Sequence, residues 1–337
     1  MVPGSVPSPT PDQAGGGGGA VRVLYAQGGQ VARGDAIPEA YDALWVDLAA
    51  EDEKERAEAV MRQLYPAHPV AVARVLAVAS DMRQSLLVDA EAVVFRLSHV
   101  ERPFEPERQT VWPVGVAFGR RFLLTVPRQG PVPWLESAWR AVMRQNWLAE
   151  GADFALYHLL SAHLDHLQAL DEAINRRYEA VQETLLHHPY RNLAPDIAAL
   201  RRWVMWARRL TEPEIEVFTL LGNEGFHFVE AAHRPYFQDL KARMHEIAED
   251  IQSNREGLSG TVEAYTSMQS NEINKVMKFL TIISVLALPA TTIASIYGMN
   301  FYIPETHWSF GYAYSLAVMA GVTGLLLWLM KRRNWFR

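Results

Sequence analysis

No cysteine occurs in the chain, which excludes a disulfide framework, a thiolate metal site and a cysteine nucleophile. No GxxxxGK[ST] phosphate loop occurs either, so nothing marks an ATP-driven engine. Positive charge is not in excess: 32 Lys and Arg stand against 38 Asp and Glu, a formal charge of −6. Nucleic acid is therefore not expected as a partner. The start lacks a basic stretch followed by an apolar run, so it does not read as a secretory signal, and the domain after it is expected in the cytosol. Two further absences are local. Residues 279–297 (FLTIISVLALPATTIASIY) and 311–330 (GYAYSLAVMAGVTGLLLWLM) carry no charge, and 298–310 between them carry no Lys or Arg.

What is present has a strong polarity along the chain. Residues 1–20 combine Pro and Ser with five consecutive glycines at 15–19. They bury too little apolar surface to offset ordering entropy, and a disordered tail is expected. The two uncharged runs are each about 20 residues, enough for a helix to cross a hydrocarbon layer of ~30 Å. Lys275 and Lys278 precede the first, and Lys331, Arg332, Arg333 and Arg337 follow the second. The positive-inside bias then puts both termini in the cytoplasm and 301–310 outside as a short external loop. Trp308, Tyr312, Tyr314, Trp328 and Trp335 are placed as interfacial anchors.

Between tail and spans, 21–25, 44–48, 92–98, 111–118 and 122–126 are short runs rich in β-branched and aromatic residues, as strands are. Phe118-Gly119-Arg120-Arg121 suggests a tight hairpin between the last two. Helical signals intervene at 51–64 and 69–79. An α/β or α+β domain is expected over about 20–130. After Pro133 the pattern turns helical: 134–149, a long 153–186, then 195–210 and 213–221 split at Pro213. From Pro235 helical spacing runs to Pro289, inside the first span, giving a stalk at 235–278, a first membrane helix at 279–300 and a second at 311–330. A helix that long without caps implies packing against others, hence an oligomer.

A seam marks the first span. At a spacing of 3.5 residues, Asn274, Met277, Thr281, Ser284, Leu288, Thr291, Ser295 and Gly298 fall on one side, so hydroxyls and small residues line up with Leu288 as an apolar interruption. Such a seam serves helix packing in lipid, or lines a water-filled path among several copies of the helix. Tyr297-Gly298-Met299-Asn300-Phe301 closes it. This resembles the CorA-type family of divalent-cation channels, whose hallmark is Gly-Met-Asn at the end of the first of two C-terminal spans. Asn274, Met277-Lys278, Leu280-Thr281, Pro289, Pro304-Glu305, Trp308, Gly311-Tyr312 and the basic end 331–337 suit the family's pattern as well.

The resemblance implies a cytosolic α/β/α funnel domain of α+β class at 21–234, a stalk helix and a two-helix membrane hairpin, assembled as a homopentamer in a bacterial-type inner membrane. The first span would line the pore, with Gly298, Met299, Asn300 and Glu305 at the external mouth. It implies transport, with no catalytic residue and no catalytic cofactor. Mg²⁺ suits a ring of neutral amides, because it holds its waters tightly and such a ring binds the hydrated ion. Zn²⁺, Co²⁺ and Ni²⁺ stay open, since His307 beside the mouth favours softer ions and the family has a zinc-transporting branch. Regulation by cytosolic divalent ions is implied too, with Asp89, Asp239, Asp250 and Glu256 as the metal candidates; Asp81, Glu91, Glu246 and Glu249 are further acids in the same regions. Two rival readings remain. One is a membrane-anchored metalloprotein using His158, His163, Asp165 and His166, with His187, His188, His227 and His233 in reserve. The other is a scaffold that conducts nothing.

Overall fold

The computed structural model describes residues 21–48, 59–60, 62–64, 86–101, 111–128, 131–188, 191–300, 302–333 and 335. The tail at 1–20, the helical signal at 69–79, most of that at 51–64, Asp81, Phe301 and Arg337 lie outside them. Among the described residues seven strands are seen: β1 Val21–Gln27, β2 Gln30–Gly34, β3 Ala43–Leu48, β4 Leu86–Val88, β5 Ala92–Val100, β6 Val111–Gly119 and β7 Phe122–Pro127. Five helices follow: α1 Pro133–Gln145, α2 Ala152–His187, α3 Ala194–Leu221, α4 Arg234–Tyr297 and α5 Gly311–Arg332. Short 3₁₀ turns occupy Trp147–Glu150 and Pro304–His307.

The strands form one sheet in the order β2-β1-β3-β7-β6-β5-β4. Among the described strands β3 and β7 run parallel, and the other neighbours are antiparallel. Every residue of β3 and β5 is buried, which requires cover on both faces of the sheet. One face packs against α1 and α2, with Trp45 meeting Trp139 edge-on at 4.9 Å. The other carries Val23, Leu44, Val46, Val94, Ala117 and Leu124, with Val60 and Leu64 packed on them. The expected α/β/α layering is thus present, and β6 turns into β7 at Arg120-Arg121 as the hairpin signal predicts.

Local reasons account for the departures from expectation. β2 was not foreseen: its QVARG is polar and half-exposed at the sheet edge. Gly28 and Gly29, with φ of 59° and 81°, make the two-residue turn that pairs Gln27 with Gln30, a conformation glycine adopts without penalty. β4 is too short for periodicity to show. The first helix ends at Gln145 rather than 149, because Asn146 takes φ 60° and terminates it. Its side chain accepts from Val31 N–H at 2.7 Å and donates to Gly29 C=O at 2.9 Å, tying the helix end to the β1–β2 turn.

The break expected at Pro213 is absent, and α3 runs through it. A proline inside a helix costs about 3 kcal/mol, offset here by burial of Leu210, Thr211, Glu214, Val217 and Phe218 on either side. α4 likewise continues through Pro289 for 64 residues. The chain divides into two units, one ending at Ser259 and one from Gly260 to Arg337. Within the first, α4 buries Phe237, Leu240, Met244, Ile247, Ile251 and Leu258, one stripe at helical spacing.

Candidate ion path and buried polar centres

The second unit has two helices long and apolar enough to cross a membrane, in the regions expected. Their apolar side chains are not covered by the chain itself: Leu288 is 67% and Phe279 63% exposed. The seam residues Asn274, Met277, Ser284, Leu288, Thr291 and Ser295 are exposed, and Thr281 is half-buried. Thr281 Oγ1 donates to Met277 C=O at 2.7 Å and Thr291 Oγ1 to Ala287 C=O at 2.9 Å. Each hydroxyl proton is spent on the helix's own backbone, so what these two threonines present outward is lone pairs. Water bound to a cation points its hydrogens away from the ion, and an acceptor surface suits that shell. Thr292, off the seam, makes the same bond to Leu288 C=O at 2.8 Å, so position and not hydroxyl chemistry distinguishes the seam.

Gly298 ends α4, its N–H shared between Ala294 C=O at 3.0 Å and Ser295 C=O at 3.2 Å. Its φ lies outside the left-handed region. An added Cβ would sit 3.3 Å from Ala294 O, a tight contact rather than a clash. Met299 and Asn300 are exposed just beyond. Glu305 lies in the 3₁₀ turn Pro304–His307, and the Tyr302 and His307 rings sit 5.0 Å apart. Trp308 packs against Phe310 and Tyr314, while Arg332 lies over Trp328 at 5.3 Å.

In the first unit the histidines do not form a metal cage: among the described residues no three His, Asp or Glu groups come together to hold an ion. His163 is fully buried and its Nε2 lies 2.6 Å from Glu214 Oε2, while Glu214 Oε1 accepts from Ser98 N–H at 2.8 Å. His166 Nε2 accepts from Val100 N–H at 3.3 Å. His158 stacks on Trp147 at 3.5 Å, and His233 bonds Asp153 at 2.8 Å. Asp165 pairs with Arg243 at 2.6 Å. His187, His188 and His227 are exposed. Burial pushes His99 down to about 4 and His166 down to about 3, holding both neutral. This is interhelical and helix–sheet packing, so the metalloprotein alternative finds no support in the geometry.

A second buried centre, Arg22–Asp47–Thr125–Trp45, fastens the sheet. Arg22 bonds Asp47 and pairs with Glu136 at 2.6 Å; Thr125 Oγ1 donates to Asp47 Oδ1 at 2.6 Å and accepts from Trp45 Nε1 at 3.2 Å. Burial pushes the Asp47 carboxyl up, against the pull of Arg22.

The acidic candidates are spread out. Asp89 Oδ1 accepts from Ala90 N–H at 2.7 Å in the β4–β5 turn. Asp239, Asp250 and Glu256 lie on the exposed side of α4, with Glu256 accepting from Gln252 at 2.6 Å. Sequence reading missed Asp171 on α2. It is 5% exposed, its Oδ1 has no partner, and its Oδ2 accepts from Asn175, which accepts in turn from Asn254 of α4. Burial, then the charge of Asp250, raises it to about 6. Only the carboxylate on an otherwise apolar helix stripe marked it in sequence.

A mixed-sheet α/β/α domain feeding a single 64-residue helix into an apolar two-helix end is the plan of a two-span membrane protein with a large domain outside the bilayer. The chain belongs to the CorA-like Mg²⁺ transporter protein family, whose model matches residues 41–332. That is a family of ion transporters rather than enzymes. The cobalt/magnesium transport protein CorA of Thermotoga maritima is 35% identical over 185 residues, 55% of this chain and 53% of that protein. The match thus spans about half the relative's length. YfjQ of Bacillus subtilis is 26% identical over 294 residues, covering 87% of this chain and 89% of that protein. In fold, the complete structure of the CorA magnesium transporter from Methanocaldococcus jannaschii matches with a TM-score of 0.78 at 18% identity, over 94% of this chain and 98% of that one.

Proposed function

We propose that this chain is a passive divalent-cation channel of a bacterial-type inner membrane, carrying Mg²⁺ inward through a homopentameric pore lined by α4. The observation that supports it best is the seam: six of its seven residues from Asn274 to Ser295 are exposed in the single chain, and it ends at Gly298-Met299-Asn300. Hydrophilic groups on a membrane helix are costly against lipid, and closing five seams on one axis removes them from it. Asn300 then forms a ring of amide oxygens that engage the hydrated ion without stripping its shell. Glu305 concentrates cations at the mouth. Below, Asn274, Thr281, Ser284, Thr291 and Ser295 hold waters of hydration, while Leu288 and Met277 form apolar constrictions that gate by dewetting.

Inward movement of a divalent ion down a potential of about 100 mV, negative inside, releases roughly 4.6 kcal/mol. No nucleotide engine is then needed. Both termini face the cytoplasm, so Asp89, Asp239, Asp250 and Glu256 meet the cytosolic ion pool, and Asp171 joins Asp250 as a fifth carboxylate. Internal divalent ions bridging these acids favour the closed state.

The test is flux into voltage-clamped proteoliposomes for Mg²⁺, Zn²⁺, Co²⁺ and Ni²⁺. Mg²⁺ entry that rises with inside-negative potential and falls at least tenfold in Asn300→Ala is expected. Entry indifferent to potential defeats the passive mechanism, and a preference for Zn²⁺ over Mg²⁺ transfers the assignment to the zinc-carrying reading. No flux of any of the four ions leaves the scaffold reading standing.

A further inference from the structure

The end of α3, the turn after it and the first turns of α4 enclose a cleft of about 630 Å³, inside the size range of small-molecule sites. It belongs wholly to the first unit. α4 lends it Gln238, Lys241 and His245, a spacing that puts the three on one face of the helix. The turn lends it Gly222, Asn223 and Glu224. No aromatic, Val, Leu or Ile side chain among the described residues lines it, so the cleft is built for a polar occupant.

The fold fixes what each group offers. Asn223 Oδ1 accepts from Gly225 N–H at 3.0 Å, and Asn223 C=O accepts from Phe226 N–H at 3.0 Å. The amide nitrogen of Asn223 is therefore the donor left for a ligand. His245 Nδ1 lies 2.9 Å from Lys241 C=O. A carbonyl only accepts, so the imidazole donates from Nδ1 and its Nε2 keeps a lone pair in the neutral ring. The stem of Lys241 lies over Gly222, where an added Cβ would come within 3.0 Å of Lys241 Cβ and 3.1 Å of its Cδ. Glycine thus gives the lysine its seat. Lys241 is half-buried and Glu224 exposed, and neither has an ion-pair partner among the described residues.

Charge and hydrogen-bonding capacity together choose the ligand. One cation and one anion line the cleft, so a ligand of a single charge would meet its own sign at one end. A ligand with separate carboxylate and ammonium groups satisfies both, the first at Lys241 and the second at Glu224. The negative end of α3, next to Glu224 in the chain, adds to the attraction for the ammonium. Between the charges, the amides of Asn223 and Gln238 and the lone pair of His245 match the N–H and C=O of a peptide bond. Hydrogen bonds between ionised partners are about twice as strong as neutral ones, which makes the two ends the main source of affinity.

We propose that the α3–α4 cleft binds a small zwitterion of the dipeptide class, its carboxylate at Lys241 and its ammonium at Glu224. The proposal needs no assumption about the pore.

The test is isothermal titration calorimetry on the detergent-solubilised full chain with three probes that differ in charge: glycylglycine, its N-acetyl derivative and its C-terminal amide. Saturable binding of glycylglycine is expected, at least tenfold tighter than that of either singly charged probe. Lys241→Met is expected to weaken glycylglycine to the level of the amide, and Glu224→Gln to the level of the N-acetyl probe. Near-ultraviolet circular dichroism checks that both variants keep native packing, and the three probes on the native chain decide the matter even where a variant misfolds. An N-acetyl probe that binds as tightly as glycylglycine makes the cleft an anion site and overturns the proposal. An amide that does so makes it a cation site, with the same result. No saturable heat from any probe up to on the order of 10 mM also overturns it, as does glycylglycine binding that neither substitution weakens.

Discussion

The two units use similar side chains under opposite rules. Up to Ser259, Trp45, Phe95 and Phe118 are fully buried, and Glu214 and Asp47 are buried with hydrogen-bonded partners from other elements. From Gly260 on, apolar residues face outward and the hydroxyls of Thr281, Thr291 and Thr292 turn back onto their own helix. The first unit answers to water, where burying carbon is favourable and a buried polar atom must be paired by the tertiary structure. The second answers to lipid, where each helix satisfies its own backbone and association rests on packing and polar seams. The first therefore has its core within one chain, whereas the second leaves its large apolar side chains uncovered by the chain itself.

Removing Glu214 breaks that contrast hardest. Glu214→Ala strands buried His163 and the Ser98 N–H, and unfolding in detergent, followed by near-ultraviolet circular dichroism, is expected to show a loss of about 3–5 kcal/mol. His163→Ala should fall in the same range, and the double variant should cost clearly less than the sum, because both act on one contact. Strict additivity would mean the pair is not a unit.

A matched pair of isosteric changes sharpens the comparison. Thr125→Val leaves Asp47 Oδ1 and Trp45 Nε1 without their partner and should cost about 1–3 kcal/mol. Thr291→Val loses only a bond to its own helix and should shift stability by less than about 0.5 kcal/mol, while lowering Mg²⁺ flux several-fold. Equal stability costs at the two sites would erase the distinction between the units.

Titration offers two opposite slopes within the first unit. Asp171, raised to about 6 in the fold from an ordinary 3.8, takes up a proton in the folded state before the unfolded one does. Its contribution to stability therefore grows as pH falls from about 6 towards 3.8 and is lost above 6. Asp171→Asn should raise the melting temperature at pH 7, with the gain fading by pH 4. His99 runs the other way: lowered to about 4 from 6.5, it stays neutral while the unfolded chain protonates, so stability falls as pH drops through that window. His99→Gln should flatten this slope. Melting curves for the native chain and the two variants between pH 4 and 7.5 check both signs.

Much of this was legible along the chain because the signals are periodic or compositional. Five of the seven strands described announce themselves by Val, Leu, Phe and Trp in short runs, and both apolar spans by length and lack of charge. What stayed hidden depended on partners far away in sequence. β2 exists because Gly28-Gly29 turns and Asn146 anchors it from over a hundred residues on. Pro213 sits inside a helix because its flanks are buried. His163 and His166, spaced like metal ligands, are drawn to Glu214 and to the backbone of β5 instead, and no local pattern foretells which of two polar neighbours a buried imidazole will meet.

The amino-acid sequence by itself determined a domain of mixed strands and helices, the long helix, the two apolar spans and the Gly-Met-Asn ending, since each rests on spacing, composition or adjacent residues. Only the tertiary structure decided which carboxylates and imidazoles are buried and which partners hold them. Those depend on distances between elements remote in the chain, where burial and pairing are set by the whole fold.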